Sequence, residues 1–110
     1  MSKPVRDKIP ELIRSGGLEP IIHTASPDEH AERLRDKLRE EVAEFLDSNT
    51  DVEELADIIE VVYALAELAG ASREQLEALR AAKAKCNGAF ADRLVWSGNR
   101  PRGRDSQDPA

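Results

Sequence analysis

The sequence has little of what builds a disulfide-linked, membrane-spanning or nucleic-acid-binding protein. Its single cysteine, Cys86, excludes a disulfide within the chain. The longest apolar stretch, residues 58–71, is interrupted by Glu60 and Glu67, so no membrane-spanning helix is expected. A basic surplus is missing as well, because the net charge of −6 argues against a general binder of the phosphate backbone. The first residues lack the apolar core of a signal peptide, and we therefore expect a cytoplasmic protein that binds neither nucleic acid nor membrane.

Aromatic residues are also scarce, at 4% of the chain, whereas charged residues make up 35%. This balance is typical of a charged helical domain and not of a β-sandwich. Ser or Thr stands three residues before Glu or Gln at three places, which is the spacing of a capping box: Ser26, Thr50 and Ser72. Stops at Ser48-Asn49, Gly70 and Asn87-Gly88 then predict helices at about 27–47, 51–69 and 73–87. Since the connections are short, we predict an all-α fold, an antiparallel helical bundle.

The ends of the chain differ from this helical part. Residues 10–14 precede a Ser-Gly-Gly stop and predict one or two helical turns, followed by an irregular or extended lead-in at 18–25. Residues 98–110 are polar and rich in Gly and Pro, which predicts a disordered tail. We therefore predict one domain at residues 1–97 and a tail at 98–110.

Helical periodicity places some acidic side chains beside apolar faces. Four residues share this position: Glu41 and Glu44 on the first long helix, and Glu54 and Asp57 on the next. Glu53 and Glu60, in contrast, should point to solvent. Four carboxylates gathered at a half-buried site repel one another and lose hydration, and a hard cation such as Mg²⁺ removes that cost. In a chain with 22 acidic residues, a solvated helix face is the alternative interpretation.

The helix at 51–69 is apolar on more than one side. Leu55 and Ile59 belong to its main apolar face, which Val61 and Leu68 widen on one flank. A single small chain buries only about two-thirds of its unfolded surface, so three helices cannot cover so broad a face. We expect a homodimer, or a higher homo-oligomer, that buries the second apolar face of this helix, which runs through Val61, Leu65 and Leu68.

Three segments, taken in order, resemble a known family. EEVAE at 40–44 followed by ELAD at 54–57 resembles the E-x-x-E and E-x-x-D signature of the MazG-like all-α nucleotide pyrophosphohydrolases. VRDKIPELI at 5–13 and KAKCNGAFADRL at 83–94 look like segments of its small phosphoribosyl-ATP pyrophosphohydrolase-like branch. Asn87 and Ala89 depart from that branch, which has Arg and Gly there. The resemblance covers nearly all of residues 3–96.

The resemblance implies a MazG-like helical bundle, completed by dimerisation, and an activity. That activity is hydrolysis of a nucleoside triphosphate between its α and β phosphates, which releases a nucleoside monophosphate and pyrophosphate, as in house-cleaning of the nucleotide pool. Metal and catalytic roles fall to Glu41, Glu44, Glu54 and Asp57. The cofactor would be Mg²⁺, with Mn²⁺ as a substitute, and Glu41 is our candidate to orient the attacking water.

The triphosphate also needs cationic partners. Lys83 and Arg93 are our candidates, one as a point charge and the other as a bidentate fork. Arg6 and Lys8 are further candidates for contact with phosphate or base, although their segment could equally dock the N-terminus onto the bundle.

Two other functions fit the same sequence. Phosphoribosyl-ATP pyrophosphohydrolase of histidine biosynthesis shares the fold and the metal site, although VRDKIPELI looks more like the small branch. Outside the enzymes, the chain could be a non-catalytic helical dimerisation module whose acidic residues are surface charge. A protein that neither binds Mg²⁺ nor releases pyrophosphate would belong to that class.

Overall fold

The computed structural model describes residues 2–103, and within that range it contains α-helices and no strand. The helices are α1 (Ile9–Ser15), α2 (Pro27–Ser48), α3 (Val52–Leu68) and α4 (Arg73–Asn87). The prediction of an all-α chain is confirmed, and the bounds of the three long helices agree within one residue. None of the described helices is long and apolar enough to cross a membrane. Residues 88–103 form neither helix nor strand, and the remainder of the predicted tail lies outside the described residues.

Side-chain caps explain where the long helices begin. The Ser26 hydroxyl accepts the amide of Glu29 at 3.2 Å. Ser72 and Gln75 form a complete capping box, with bonds of 3.1 and 2.7 Å. α3 differs from the prediction, because its N-cap is Asp51, whose carboxylate accepts the amide of Glu53 at 3.0 Å. The capping box predicted at Thr50 is wrong by one residue, since the adjacent carboxylate is an equally good cap and also interacts favourably with the helix dipole.

The helices do not all pack together. α2 and α3 form a helical hairpin through a short turn, in which Asn49 takes a positive φ of 78°. α4 packs against α3 and does not meet α2. Within the described chain, the helices predicted to form a bundle therefore form the α2–α3 hairpin, with α4 packed against α3.

The apolar core of one chain is correspondingly small. Among the described residues, Leu34 and Val61 are the only large apolar side chains that are buried, at 6% and 9% exposure. The radius of gyration is 20.9 Å, whereas a compact chain of this length would have about 13 Å. One copy therefore leaves much of its apolar surface uncovered.

α3 turns a different face to α2 than the sequence predicts. Val61, expected on the flank and in the interface between copies, is buried within one chain, while Leu55 and Ile59 are 39% and 49% exposed. The reason is that no described helix packs over the side of the hairpin that carries these two residues. We call its exposed apolar side chains the hairpin stripe: Val42, Leu46, Val52, Leu55 and Ile59.

The cap of α3 can be tested by paired substitutions. Asp51→Ala should lower the free energy of unfolding by about 1 kcal/mol, because the amide of Glu53 loses its acceptor. Thr50→Ala should change it by much less. Urea unfolding followed by circular dichroism measures both variants. A loss of stability confined to Thr50→Ala would show that Thr50, and not Asp51, caps α3.

Candidate functional site

The four predicted acidic residues meet where α2 packs against α3. Their carboxylates, together with that of Glu40, form two overlapping groups whose ligand atoms lie within 4.8 Å of one another: Glu40, Glu41 and Glu44, and Glu41, Glu54 and Asp57. Glu41 belongs to both groups. Glu40 was not among the four predicted residues, although its position one turn before Glu44 could have indicated it.

Glu41 is the buried member of the cluster. Its side chain is 8% exposed, and its Oε1 forms an ion pair with Lys37 Nζ at 3.0 Å. Oε2 is buried without a hydrogen-bond partner, and the same is true of Oε2 of Glu54. An unsatisfied buried acceptor costs about 1–3 kcal/mol, and more when it is charged. A cation placed between these two oxygens would give both a partner.

Lys37 supplies part of the positive charge that the carboxylate cluster needs. It lies one turn before Glu41 on α2 and is also 3.3 Å from Glu40 Oε1. Burial lowers the pKa of Lys37, but its hydrogen bonds to Glu41 and Glu40 outweigh this and leave that pKa raised. Lys37 therefore stays charged beside the cluster. Lys37 was not among the predicted site residues, although a lysine four residues before a core-facing glutamate indicates such a pair.

The N-terminal segment supplies the second cation. Arg6 Nη2 lies 2.8 Å from Asp57 Oδ1, and both side chains are about half exposed. Near the start of the segment, Arg33 Nη1 donates to the carbonyl of Ser2 at 3.4 Å. Arg6 thus reaches the predicted site. Lys8 is exposed and serves as the N-cap residue of α1 without a side-chain capping bond.

Mutual repulsion remains in the cluster despite these two cations. The charge of Glu41, followed by lost hydration, raises the pKa of Glu44. Lost hydration, followed by the charges of Asp57 and Glu41, raises the pKa of Glu54, and a hydrogen bond with Glu44 opposes this only in part. The cluster therefore favours uptake of protons or of a cation.

A cavity of about 940 Å³ opens beside the cluster. Glu41, Asp57, Arg6 and Lys37 line it on the charged side, and its volume is within the range of small-molecule pockets. Its apolar side is formed by Ile9, Ile13, Leu34, Val61, Ala64 and Leu68. Glu60, predicted to face solvent, is exposed as expected and also lines this cavity with Glu67.

Lys83 and Arg93 lie elsewhere in the chain. Lys83 is on α4, and Arg93 follows α4 with a positive φ of 58°. Within residues 2–103, neither side chain lines the cavity or forms an ion pair with a carboxylate of the cluster. Their contact with substrate stays a prediction.

An all-α protein with a half-buried carboxylate cluster is what the fold and the site define. No protein-family model and no solved structure matches the chain. An uncharacterized protein of Mycolicibacterium smegmatis is 52% identical over 50 residues, which are 46% of this chain. The chain spans about half the length of that curated relative, namely 51%.

Stability should depend on pH through the two perturbed glutamates. Because the folded pKa values of Glu44 and Glu54 are raised, their contribution is favourable at low pH and is lost as pH rises through those values. Glu54→Gln should therefore raise the melting temperature of the metal-free protein at neutral pH. It should also reduce the fall in melting temperature that wild type shows as the pH rises above about 4.5.

Thermal melts in the presence of a chelator, across the acid-to-neutral range, measure this effect. Glu53→Gln is the matched control, since Glu53 is exposed on the same helix and belongs to neither carboxylate group. Identical pH profiles for Glu54→Gln and wild type would contradict the electrostatic account of the cluster.

Proposed function

We propose that the protein is a divalent-cation-dependent nucleoside triphosphate pyrophosphohydrolase, which cleaves between the α and β phosphates. The observation that carries this proposal is the burial of Glu41, shared by two carboxylate groups, with one unpaired oxygen beside a cavity of nucleotide size. The order of the acidic pairs and the resemblance to MazG-like enzymes support the same activity. House-cleaning of the nucleotide pool is the role that fits the small branch.

The carboxylates fit the expected cofactor. Mg²⁺ and Mn²⁺ are bound by oxygen ligands, and the unpaired oxygens of Glu41 and Glu54 are such ligands. Glu41, Glu54 and Asp57 would hold one ion, and Glu44 is near enough to take part. When bound, the ion would neutralise phosphate oxygens and lower the pKa of the attacking water.

The remaining steps fall to side chains of this chain. Glu41, central to both groups, orients the attacking water. Glu44 is the better acceptor for its proton, because a raised pKa makes a carboxylate a stronger base near neutral pH. Ile9, Ile13 and Leu34, on the apolar side of the cavity, hold the nucleoside and exclude water.

The triphosphate is received by basic side chains at the charged side of the cavity. Lys37 and Arg6 already line this part of the cavity. Arg6 is bound to Asp57, so it would leave that carboxylate to the cation and turn its guanidinium to a phosphate. Lys83, Arg93 and Lys8 remain candidates for additional phosphate or base contacts.

The same proposal includes a homodimer. The hairpin stripe is an apolar surface that no described helix covers, and a second copy meeting it through a two-fold axis would complete a helical bundle. The stripe also favours the alternative that the chain is a dimerisation module without catalysis. A panel of nucleoside triphosphates and phosphoribosyl-ATP, assayed for pyrophosphate release, separates these functions.

Asp57→Asn should abolish pyrophosphate release and leave the metal-free fold about as stable as wild type. The substitution removes repulsion among carboxylates, and the Arg6 pair that it also removes is half exposed and contributes at most about 1 kcal/mol. Wild type should gain about 2.7 kcal/mol when Mg²⁺ reaches a hundred times its dissociation constant, and the variant much less. Glu53→Gln should behave as wild type in both respects.

Thermal melts with and without Mg²⁺, beside the activity assay, measure these effects. Full activity in Asp57→Asn would remove Asp57 from the site. Equal destabilisation with and without Mg²⁺ would show that Asp57 is structural.

Arg6→Gln should bind Mg²⁺ more tightly than wild type in the absence of nucleotide. The reason is that the guanidinium competes with the ion for Asp57 Oδ1. The same variant should raise KM for the triphosphate. Isothermal titration with Mg²⁺ and steady-state kinetics measure the two effects, and Arg35→Gln, at an exposed position that does not line the cavity, is the control for loss of a positive charge. Unchanged Mg²⁺ affinity in Arg6→Gln would show that Arg6 does not compete for the site.

A further inference from the structure

The segment after α4 carries several highly exposed apolar side chains. We call residues 88–103 the C-terminal arm. Its four large apolar side chains are Phe90, Leu94, Val95 and Trp96, with exposures of 96%, 89%, 88% and 80%. The Trp96 indole donates to Gly98 O at 3.0 Å and to Asn99 Oδ1 at 2.9 Å, so its polar atom is satisfied within the arm while its ring is left uncovered. Clusters of exposed apolar side chains mark interaction sites.

α4 carries the arm away from the hairpin. The helix packs against α3 and not against α2, and it contains no buried residue. Leu79 on α4 is itself 56% exposed. The arm and α4 therefore form one unit that the rest of its own chain covers poorly.

Charge is divided between this unit and the hairpin. Residues 27–72 contain fourteen acidic and four basic residues, whereas residues 73–103 contain three acidic and seven basic ones. Such surfaces repel their own kind and attract each other. A second copy of the chain offers the complementary charge to each unit.

The cavity on the hairpin provides the matching surface. It is lined only by residues between Lys3 and Leu68, so neither α4 nor the arm of the same chain reaches it. An apolar floor that includes Ala64 and Leu68 lies beside the carboxylates of Glu60 and Glu67. This combination suits a segment that presents apolar side chains next to arginines.

We propose that the C-terminal arm of each copy lies along the cavity of a second copy, so that the two chains exchange arms. Phe90, Leu94 and Trp96 pack on the part of the floor formed by Ala64 and Leu68, beside Glu60 and Glu67, and the arginines of the arm face the acidic hairpin. This contact lies on a different surface from the hairpin stripe, and both can be buried in one dimer.

The exchange has a consequence that rests on the proposed function. Arg93 stands between Phe90 and Leu94, so docking of these apolar neighbours brings its guanidinium to the partner's carboxylate cluster. Each site then combines Glu41, Glu54 and Asp57 of one chain with Arg93 of the other. In this arrangement Arg93 binds phosphate only in the dimer.

Trp96 reports the contact directly, because it is the only tryptophan. Sedimentation equilibrium and tryptophan emission are measured on the whole chain over the same dilution series. We expect a mass of twice 12.2 kDa at high concentration, with emission shifting to shorter wavelength at the midpoint where the dimer forms.

Substitution in the arm tests the same contact. Leu94→Asp should weaken the dimer at least tenfold, roughly the effect of losing 1.4 kcal/mol. Leu18→Asp is the matched control, because Leu18 is 72% exposed and lies outside both the arm and the cavity lining. It should leave the dissociation constant unchanged. Circular dichroism confirms that both variants keep their helices.

Three outcomes would overturn the proposal. A dimer whose tryptophan emission stays that of an exposed indole would place the interface elsewhere, such as on the hairpin stripe. Short-wavelength emission in a monomer would show that the arm folds onto its own hairpin. A monomer at every concentration, with exposed indole emission, would show that no second copy receives the arm.

Mixing variants tests the shared site separately. Glu41→Gln and Arg93→Gln should each be inactive, and a one-to-one mixture should recover about a quarter of wild-type activity, since half of the dimers then hold one complete site. Recovery of no activity, with a dimer and a shifted emission, would overturn the role of Arg93 while the arm contact stands. Wild type that is inactive on every triphosphate would instead reject the proposed function.

Discussion

The carboxylate of Glu41, buried between α2 and α3, is the constraint on which the rest of the site depends. A charged group in this position costs several kcal/mol unless it is paired, and an apolar residue of similar volume would often be more stable there. The chain buries only two large apolar side chains among its described residues, so this cost is large relative to a total stability of about 5–15 kcal/mol. Lys37 pairs one oxygen, and the other stays unpaired. This unpaired carboxylate oxygen is the feature on which the proposed cation site rests.

Local signals made the helices readable from sequence. Caps at Ser26 and Ser72 and the turns at Asn49 and Gly70 act within a few residues, so the helix bounds were predicted within one residue. The choice between Thr50 and Asp51 was not readable, because both are good caps and the difference depends on where the chain leaves the hairpin turn. Periodicity likewise brought the four carboxylates to one place, since their spacing along each helix fixes a shared face.

Contacts between residues far apart in the sequence were harder to predict. α3 is apolar on two sides, and which side meets α2 depends on what packs over the other, so the exposure of Leu55 and Ile59 could not be predicted from one chain. Arg6 and Asp57 are separated by 51 residues, a distance at which spacing carries no information. Lys37, in contrast, could have been found from its position relative to Glu41. In the proposed exchange of arms, the position of Arg93 relative to the carboxylates would depend on assembly and not on local sequence.

The balance of charge explains why a divalent ion suits this cluster. Glu40, Glu41, Glu44, Glu54 and Asp57 carry five negative charges when ionised, and Lys37 and Arg6 return two positive ones. Three negative charges remain, and the raised pKa values of Glu44 and Glu54 show where protons would neutralise two of them. One divalent ion would provide the same compensation without protonation, so protons and the proposed metal would compete for the same carboxylates. In the proposed mechanism, release of Arg6 from Asp57 would place its guanidinium beside the anionic substrate. The remaining carboxylates make this part of the site negative, so the substrate needs that positive charge there.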